Sequence, residues 1–104
     1  MKVYIAHPFS SDIAGNTERV RRICREVVEA GHLPIAPQLY LPAFIDEATE
    51  RVLALRLCEE LLACCDMLWL FGAEISPGVA HEIAIAKRRG MPVVIGNYQL
   101  RPRA

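Results

Sequence analysis

A short segment in the last third of the chain carries residues suited to holding an anion and presenting a carboxylate. Ser76 is followed by Pro77 and Gly78, and Glu82 comes four residues after the glycine. Serine at an N-cap and proline at the first helical position predict that a helix begins here. The free N–H groups of a first helical turn attract phosphate, and residues four apart share one helix face. A ligand lying against Gly78 would therefore meet Glu82.

Spacing alone also allows a structural interpretation of this segment. In that interpretation Ser76 only caps the helix and Glu82 is a surface residue, since S-P-G-x-x-x-E is a weak pattern. A second polar loop follows the first predicted strand, and ligands of open parallel sheets bind where such loops meet at the carboxyl ends of the strands. We therefore predict a site from both loops, formed with Glu82 by His7, Pro8, Phe9, Ser10, Gly72, Ser76 and Gly78.

Other side chains with chemical potential have less specific settings. His32 belongs to the turn after Gly31, and His81 is either a wall of the site or solvated. Trp69 lies inside a predicted strand and is expected in the core. Tyr4 also lies inside a strand, near the predicted rim, so ligand contact stays open for it.

Predicted strands and helices alternate, and this alternation sets where the two loops lie. The strands are predicted at residues 3–6, 33–36, 67–71 and 92–95, the second at an edge because of its prolines. One helix is expected from an N-cap at Asn16 to Gly31, a second over residues 47–65, and a third from Pro77 to Gly90. A long loop spans residues 37–46. The order implies a three-layer open parallel sheet, flavodoxin-like or Rossmann-like, of about four strands with helices on both faces.

Composition and charge argue against some classes of function. The chain has 104 residues, room for one domain over residues 1–104, and 12 basic residues balance 12 acidic ones. Because basic residues are not in excess, the protein offers no basic surface to a nucleic acid or a membrane. We therefore expect neither a nucleic-acid polymer nor a membrane as partner. The first apolar run stops at His7 and Pro8, far short of a signal sequence or a membrane span. A cytoplasmic location is expected.

The cysteines and the apolar content predict two further properties. Cys24, Cys58, Cys64 and Cys65 form no CxxC pair and offer no zinc-ligand spacing, so we expect buried reduced thiols, no metal and no cofactor. Hydrophobic residues make up 53% of the chain. Excess apolar surface on a small domain favours a homodimer or a higher homo-oligomer. The second predicted helix would supply that surface through Leu53, Leu57 and Leu61.

Taken in order along nearly the whole chain, the motifs resemble those of the nucleoside 2-deoxyribosyltransferase-like superfamily. The resemblance is strongest to a branch of short bacterial and phage-type proteins. The matching stretches are Y-I-A-x-P-F at residues 4–9, Asn16 in the first helix, G-H-x-P-I-A-P at 31–37, C-D-x-L-W-L-F-G at 65–72 and S-x-G-x-x-x-E-I-x-x-A at 76–86.

The resemblance implies cleavage of the N-glycosidic bond of a deoxynucleoside or its 5′-monophosphate. It implies that Glu82 is the nucleophile, which forms a covalent glycosyl-enzyme intermediate. Transfer to a second base or to water would then separate transferase from hydrolase. Ser76 stands where the superfamily's monophosphate hydrolases carry a serine and its nucleoside transferases an aspartate, which favours a monophosphate ligand.

The sequence departs from the superfamily pattern at two positions. Cys58 stands where the enzymes carry an aspartate that protonates or orients the departing base, and a thiol is a poor general acid. Asp46, Glu47 and Glu50 lie close enough in sequence to be substitutes. Ser10 stands where the monophosphate hydrolases carry an arginine.

Three functions follow from these observations. The first is an enzyme that cleaves or transfers the glycosidic bond of a nucleoside or nucleotide. The second is a non-catalytic module that binds a nucleotide-derived ligand as a sensor, sponge or accessory protein. The third, a purely structural subunit, leaves the polar rim unexplained. The base, the sugar and the acceptor are not specified by the sequence.

Overall fold

Strands and helices alternate along the chain, as the apolar periodicity predicts. In the computed structural model, which describes residues 1–72 and 75–96, the strands are β1 (Lys2–Ala6), β2 (Leu33–Ile35), β3 (Met67–Leu70) and β4 (Val93–Ile95). The helices are α1 (Ile13–Glu29), α2 (Arg51–Ala63) and α3 (Pro77–Arg88). Two short 3-10 turns, Pro37–Leu39 and Leu41–Ala43, lie in the predicted long loop. The basic residues Arg101 and Arg103 lie outside the described residues.

The four strands form one parallel sheet in the order β2-β1-β3-β4, which confirms the predicted fold class. The proline-containing strand β2 is at an edge, as predicted. β1 pairs with β2 on one side and with β3 on the other. The chain therefore reverses its direction of winding at β1, and the loops after β1 and β3 diverge. Such a switch point leaves a crevice at the carboxyl edge of an open sheet.

Alternation along β1 divides the core between the two faces of the sheet. Val3 and Ile5 pack with buried side chains of α1, whereas Tyr4 and Ala6 belong to the cluster under α2 and α3. All four side chains are buried. Because successive side chains of a strand point to opposite faces, Tyr4 lies under α2 and α3.

The central strand β3 is less uniformly covered than its apolar sequence predicts. Leu68 and Leu70 are buried under α2 and α3, whereas Met67 and Trp69 stay partly exposed on the opposite face. That face is covered by a single helix, α1, which leaves part of it open. Trp69 packs against the α1 cluster, so its predicted place in the core is confirmed in part.

Helix α1 begins earlier than predicted. The N-cap is Asp12, whose Oδ1 accepts a hydrogen bond from Gly15 N at 3.1 Å. Asn16, predicted to be the cap, lies inside the helix and is buried. The predicted ends of α1 and α3 at glycine are confirmed: Gly31 and Gly90 have φ angles of +92° and +69°, which side chains rarely adopt.

Helix α2 is shorter than the predicted range of residues 47–65. Its beginning is delayed because residues 46–50 form a hydrogen-bonded turn, in which Asp46 N donates to Glu50 Oε1 at 3.0 Å. At its other end Cys64 is the C-cap and is exposed, contrary to the predicted burial of all four thiols. In the turn after it, Asp66 Oδ2 accepts from Lys2 N at 2.7 Å, which joins this turn to the beginning of β1.

No helix of the described residues is long and apolar enough to cross a membrane.

The outward side of α2 carries part of the predicted apolar excess. Val52 is 84% exposed, and Leu53 and Leu57, which share a helix face, are partly exposed. Leu61, expected to belong to the same surface, packs against the core cluster under α2 and α3.

We predict that the protein is at least a dimer through this side of α2. Burial of each leucine would contribute roughly 1.5–3 kcal/mol before the costs of association. Leu53→Glu should shift the mass by light scattering at micromolar concentration towards the 11.6 kDa of one chain, because Leu53 and Leu57 are four residues apart and share a helix face. Val28→Glu, at an exposed position of α1, is the matched control and should leave the assembly intact. A monomeric wild-type protein would contradict the prediction.

Candidate active site

A cleft opens at the carboxyl edge of the sheet, between the loop after β1, the 3-10 turns after β2, and the beginnings of α2 and α3. Side chains of all these elements line it. The crevice thus lies at the carboxyl edge of the sheet, where the sequence predicts a site.

The floor of the cleft holds three polar side chains from three elements. The Tyr4 hydroxyl of β1 donates a hydrogen bond to Glu82 Oε2 of α3. Cys58 of α2 also lines the cleft, and its thiol interacts with both Tyr4 and Glu82. Tyr4 is fully buried, and Glu82 is partly buried. One carboxylate oxygen of Glu82 is therefore fixed by the sheet.

Burial controls the protonation of Glu82. Loss of solvent raises the pKa of Glu82 from 4.5 to about 7. The hydrogen bond from Tyr4 opposes this rise because it stabilises the carboxylate, and the negative charge of Glu47 adds to the rise. Near pH 7 the site therefore contains both the acid and the carboxylate form of Glu82.

The other two groups on the floor stay neutral at pH 7. Burial and the neighbouring Glu82 charge raise the pKa of the Cys58 thiol to about 11. Burial also raises the pKa of Tyr4 well above its usual value, with a further rise from Glu82. Tyr4 can therefore act as a hydrogen-bond donor, and Cys58 is a thiol rather than a thiolate or a useful acid.

The beginning of α3 forms one wall of the cleft. Ser76 is the N-cap, and its Oγ accepts from Val79 N at 3.2 Å, which confirms the predicted cap. Gly78 leaves the first turn uncovered towards α2. A Cβ atom added there would lie 3.7 Å from Arg51 Nη2, the nearest atom of the opposite wall. A cation of α2 thus faces the first turn of α3.

The loop after β1 forms the opposite side and is held from two directions. His7 is 5% exposed, and its Nδ1 donates to the Pro8 carbonyl at 2.8 Å. Gln38 Nε2 donates to the His7 carbonyl at 3.1 Å. The buried Asn16 amide donates to Phe9 O at 3.1 Å from below. These bonds give the loop a defined path along the cleft.

Burial and the charge of Arg19 lower the pKa of His7, a shift that its bond to Pro8 offsets in part. His7 is therefore neutral at pH 7. It offers the cleft an imidazole rather than a cation.

The structure brings together most of the predicted site residues. Those that line the cleft are His7, Phe9, Ser10, Ser76, Gly78 and Glu82. Pro8 and Gly72 are not among the described residues that line it.

Other candidates lie apart from the cleft. His81 pairs with Glu59, with Nε2 and Oε1 2.7 Å apart, on the outside of α2 and α3. His32 makes an edge contact with Trp69, with ring centroids 5.5 Å apart. No group of three or more His, Cys, Asp or Glu side chains in residues 1–72 and 75–96 could hold a metal ion.

The cleft also contains residues outside the predicted set. For Tyr4 the sequence leaves ligand contact open, and its bond to Glu82 spans 78 positions of sequence. Gln38 and Arg51 also line the cleft. A signal existed for Arg51, since it lies seven residues, or two helical turns, before Cys58 and so shares its helix face.

The fold is that of the nucleoside 2-deoxyribosyltransferases. A solved 2-deoxyribosyltransferase of Bacillus psychrosaccharolyticus superposes with a TM-score of 0.76 at 18% identity, covering 100% of this chain and 77% of that one. A 2-deoxyribosyltransferase of Leishmania mexicana superposes with a TM-score of 0.69 at 17% identity, covering 97% and 67%. No curated protein matches the sequence.

Residues 1–96 match the model of a family described as a domain of unknown function, DUF7768, and the chain belongs to that family.

Tyr4→Phe should raise the pKa of Glu82 further, above about 7. The substitution removes the hydrogen bond that favours the carboxylate and leaves the burial that disfavours it. The carboxyl ¹³C resonance of Glu82, followed by NMR against pH, measures the shift. Tyr40→Phe, at an exposed tyrosine, is the control and should not move it. An unchanged or lowered pKa in Tyr4→Phe would show that the bond does not hold the charge.

Proposed function

We propose that this protein cleaves or transfers the N-glycosidic bond of a deoxynucleoside or its 5′-monophosphate, with Glu82 as nucleophile. The observation that supports this most is the Glu82 carboxylate, anchored by Tyr4 at the floor of the cleft at the carboxyl edge of the sheet. The fold, shared with two 2-deoxyribosyltransferases, agrees with the same chemistry.

The proposed reaction proceeds in two displacements. The oxygen of Glu82 that does not accept from Tyr4 attacks the anomeric carbon as the bond from that carbon to the base nitrogen breaks. The electron pair of the broken bond leaves with the base, which takes up one proton. Water or a second base then attacks the anomeric carbon, loses a proton and releases the Glu82 carboxylate. A carboxylate on the face opposite the leaving base stabilises the oxocarbenium-like transition state.

The departing base needs a proton, and a second acid on the floor of the cleft would supply it. In this protein Cys58 stands at that place. Cys58 holds its proton too tightly, with a pKa of about 11. Of the three acidic candidates from the neighbouring loop, Glu47 lines the cleft. Asp46 accepts from Ala48 N at 3.0 Å and Glu50 from Asp46 N, which gives both a local role. The carboxylate of Glu47 is paired with Arg51 Nη1 at 2.9 Å, so we propose that the departing base takes its proton from solvent.

A non-catalytic binding module is the second candidate function. The observation that favours it is the neutral thiol of Cys58 on the cleft floor, which cannot take the part of an acid. Such a module would keep the same ligand in the same cleft without breaking the bond. Free cysteines suit the cytoplasm under either proposal, because thiols stay reduced there.

We predict that a 5′-monophosphate binds more tightly than its nucleoside, by roughly ten- to a hundredfold for one charge-assisted contact. Gly78→Val should remove this preference, because its side chain would cover the first turn of α3 and press against Arg51. Calorimetry with both ligands gives the ratio. The matched control is Ala80→Val, at an exposed position of α3. Gly90→Val is a poorer control, because it would strain a turn away from the cleft. Equal affinities in the wild type would contradict the prediction.

Glu82→Gln should abolish base release while the fold persists, with a melting temperature within about two degrees of the wild type. Glutamine keeps the shape of the side chain but cannot attack carbon. Free base, followed by chromatography after incubation with a panel of deoxynucleosides and monophosphates, measures the effect. Wild-type kcat/KM should rise with pH through about 7, because the attacking carboxylate forms above its pKa.

The panel separates the candidate functions. Cleavage that survives Glu82→Gln would show that the nucleophile is wrongly assigned. A ligand that binds to the wild type without being cleaved would support the binding module and overturn the enzyme.

A further inference from the structure

Arg51 is the cationic side chain of the cleft that the reaction proposed above leaves without a role. It is the first residue of α2, and among the described residues that line the cleft it is the one that carries a permanent positive charge. Its Nη1 lies 2.9 Å from Glu47 Oε1, and its Nη2 faces Gly78. The side chain is 47% exposed, so a ligand in the cleft can reach it.

The position of Arg51 relative to Glu82 sets which part of a ligand it would meet. Gly78, which faces the guanidinium, precedes Glu82 by four residues, or about 6 Å along the helix axis. That distance is about the reach from the anomeric carbon of a pentose, across the ring, to its 5′ substituent. A sugar whose anomeric carbon lies against Glu82 therefore brings its 5′ end beside Arg51.

We propose that Arg51 selects substrates that carry a phosphate at the 5′ position, and that Glu47 is the resident counter-ion which this phosphate displaces. The inference rests on the proposed function, because it places the anomeric carbon at Glu82. A guanidinium binds phosphate oxygens through two parallel N–H donors, a geometry that a carboxylate also satisfies. Glu47 and the phosphate therefore compete for the same donors.

This competition gives two neighbouring residues opposite effects. Removing Arg51 removes the donors, so affinity for the phosphorylated ligand falls. Removing the charge of Glu47 frees the guanidinium and removes a like charge from the cleft, so affinity for the same ligand rises. A pair that only stabilises the beginning of α2 would instead weaken binding when either member is changed.

Calorimetry with 2-deoxyribose 5-phosphate and 2-deoxyribose tests the inference without requiring any bond cleavage. Wild type should prefer the phosphate. Arg51→Met should lower its affinity for the sugar phosphate about tenfold and leave the neutral sugar unchanged. Glu47→Gln should raise affinity for the sugar phosphate about two- to fivefold. Arg56→Met, at an exposed arginine of the same helix, is the matched control and should change neither.

Several results would overturn the inference. They are equal wild-type affinity for the two sugars, an unchanged preference in Arg51→Met, and weaker phosphate binding in Glu47→Gln. If Arg51→Met does not fold, Arg51→Lys replaces it, and should lose part of the preference because an ammonium lacks the two parallel donors. Failure of the proposed function is separate, since it is shown by nucleosides and their monophosphates that bind without release of base.

Discussion

The hydrogen bond between Tyr4 and Glu82 joins the middle of the sheet to the helix that follows β3. It exists because β1 alternates its side chains between the two faces, which directs Tyr4 under α2 and α3. The carboxylate it holds is largely withdrawn from water, a state that raises its pKa to about 7. A buried carboxylate is costly unless it is hydrogen-bonded, so the Tyr4 hydroxyl is what allows an ionised Glu82 at this place. The charge of the cleft floor near pH 7 depends on that contact.

The cleft is arranged in two layers of different electrostatic character. On the floor, Tyr4 and Cys58 are neutral and Glu82 is the one group there that changes charge near pH 7. At the mouth, the oppositely charged Arg51 and Glu47 form an ion pair. The layers are about one helical turn apart. A ligand that spans both would meet one ionisable carboxyl group between two neutral groups below and the ion pair of Arg51 and Glu47 above.

Much of the fold is predictable from local sequence, because glycines, prolines and caps act within a few residues. Gly31 and Gly90 end their helices, the prolines of β2 place it at an edge, and Ser76 caps α3. The errors arise where two local signals compete. Asp12 and Asn16 are both good caps, and the choice between them depends on the loop, whose Phe9 carbonyl requires the Asn16 amide.

Local sequence patterns predict only part of the site. Residues carried by a motif, such as Ser76, Gly78 and Glu82, can be found because their spacing fixes a helix face. Tyr4, Gln38 and Arg51 enter the cleft through the packing of separate elements, and one sequence does not contain those distances. Gly78 is an example. Its spacing from Glu82 can be counted in the sequence, whereas its proximity to the guanidinium of Arg51 is known only from the structure.

The 78 positions between Tyr4 and Glu82 have a consequence for how the molecule forms. The contact closes a loop of most of the chain, and β1 also pairs with β3, itself a distant partner. Contacts between distant parts of a chain are gained only when the intervening residues have been ordered. Glu82 therefore reaches its hydrogen-bonded place only in a chain that is folded nearly from end to end. A nascent or partly unfolded chain would hold its glutamate in water, as an ordinary and unreactive acid.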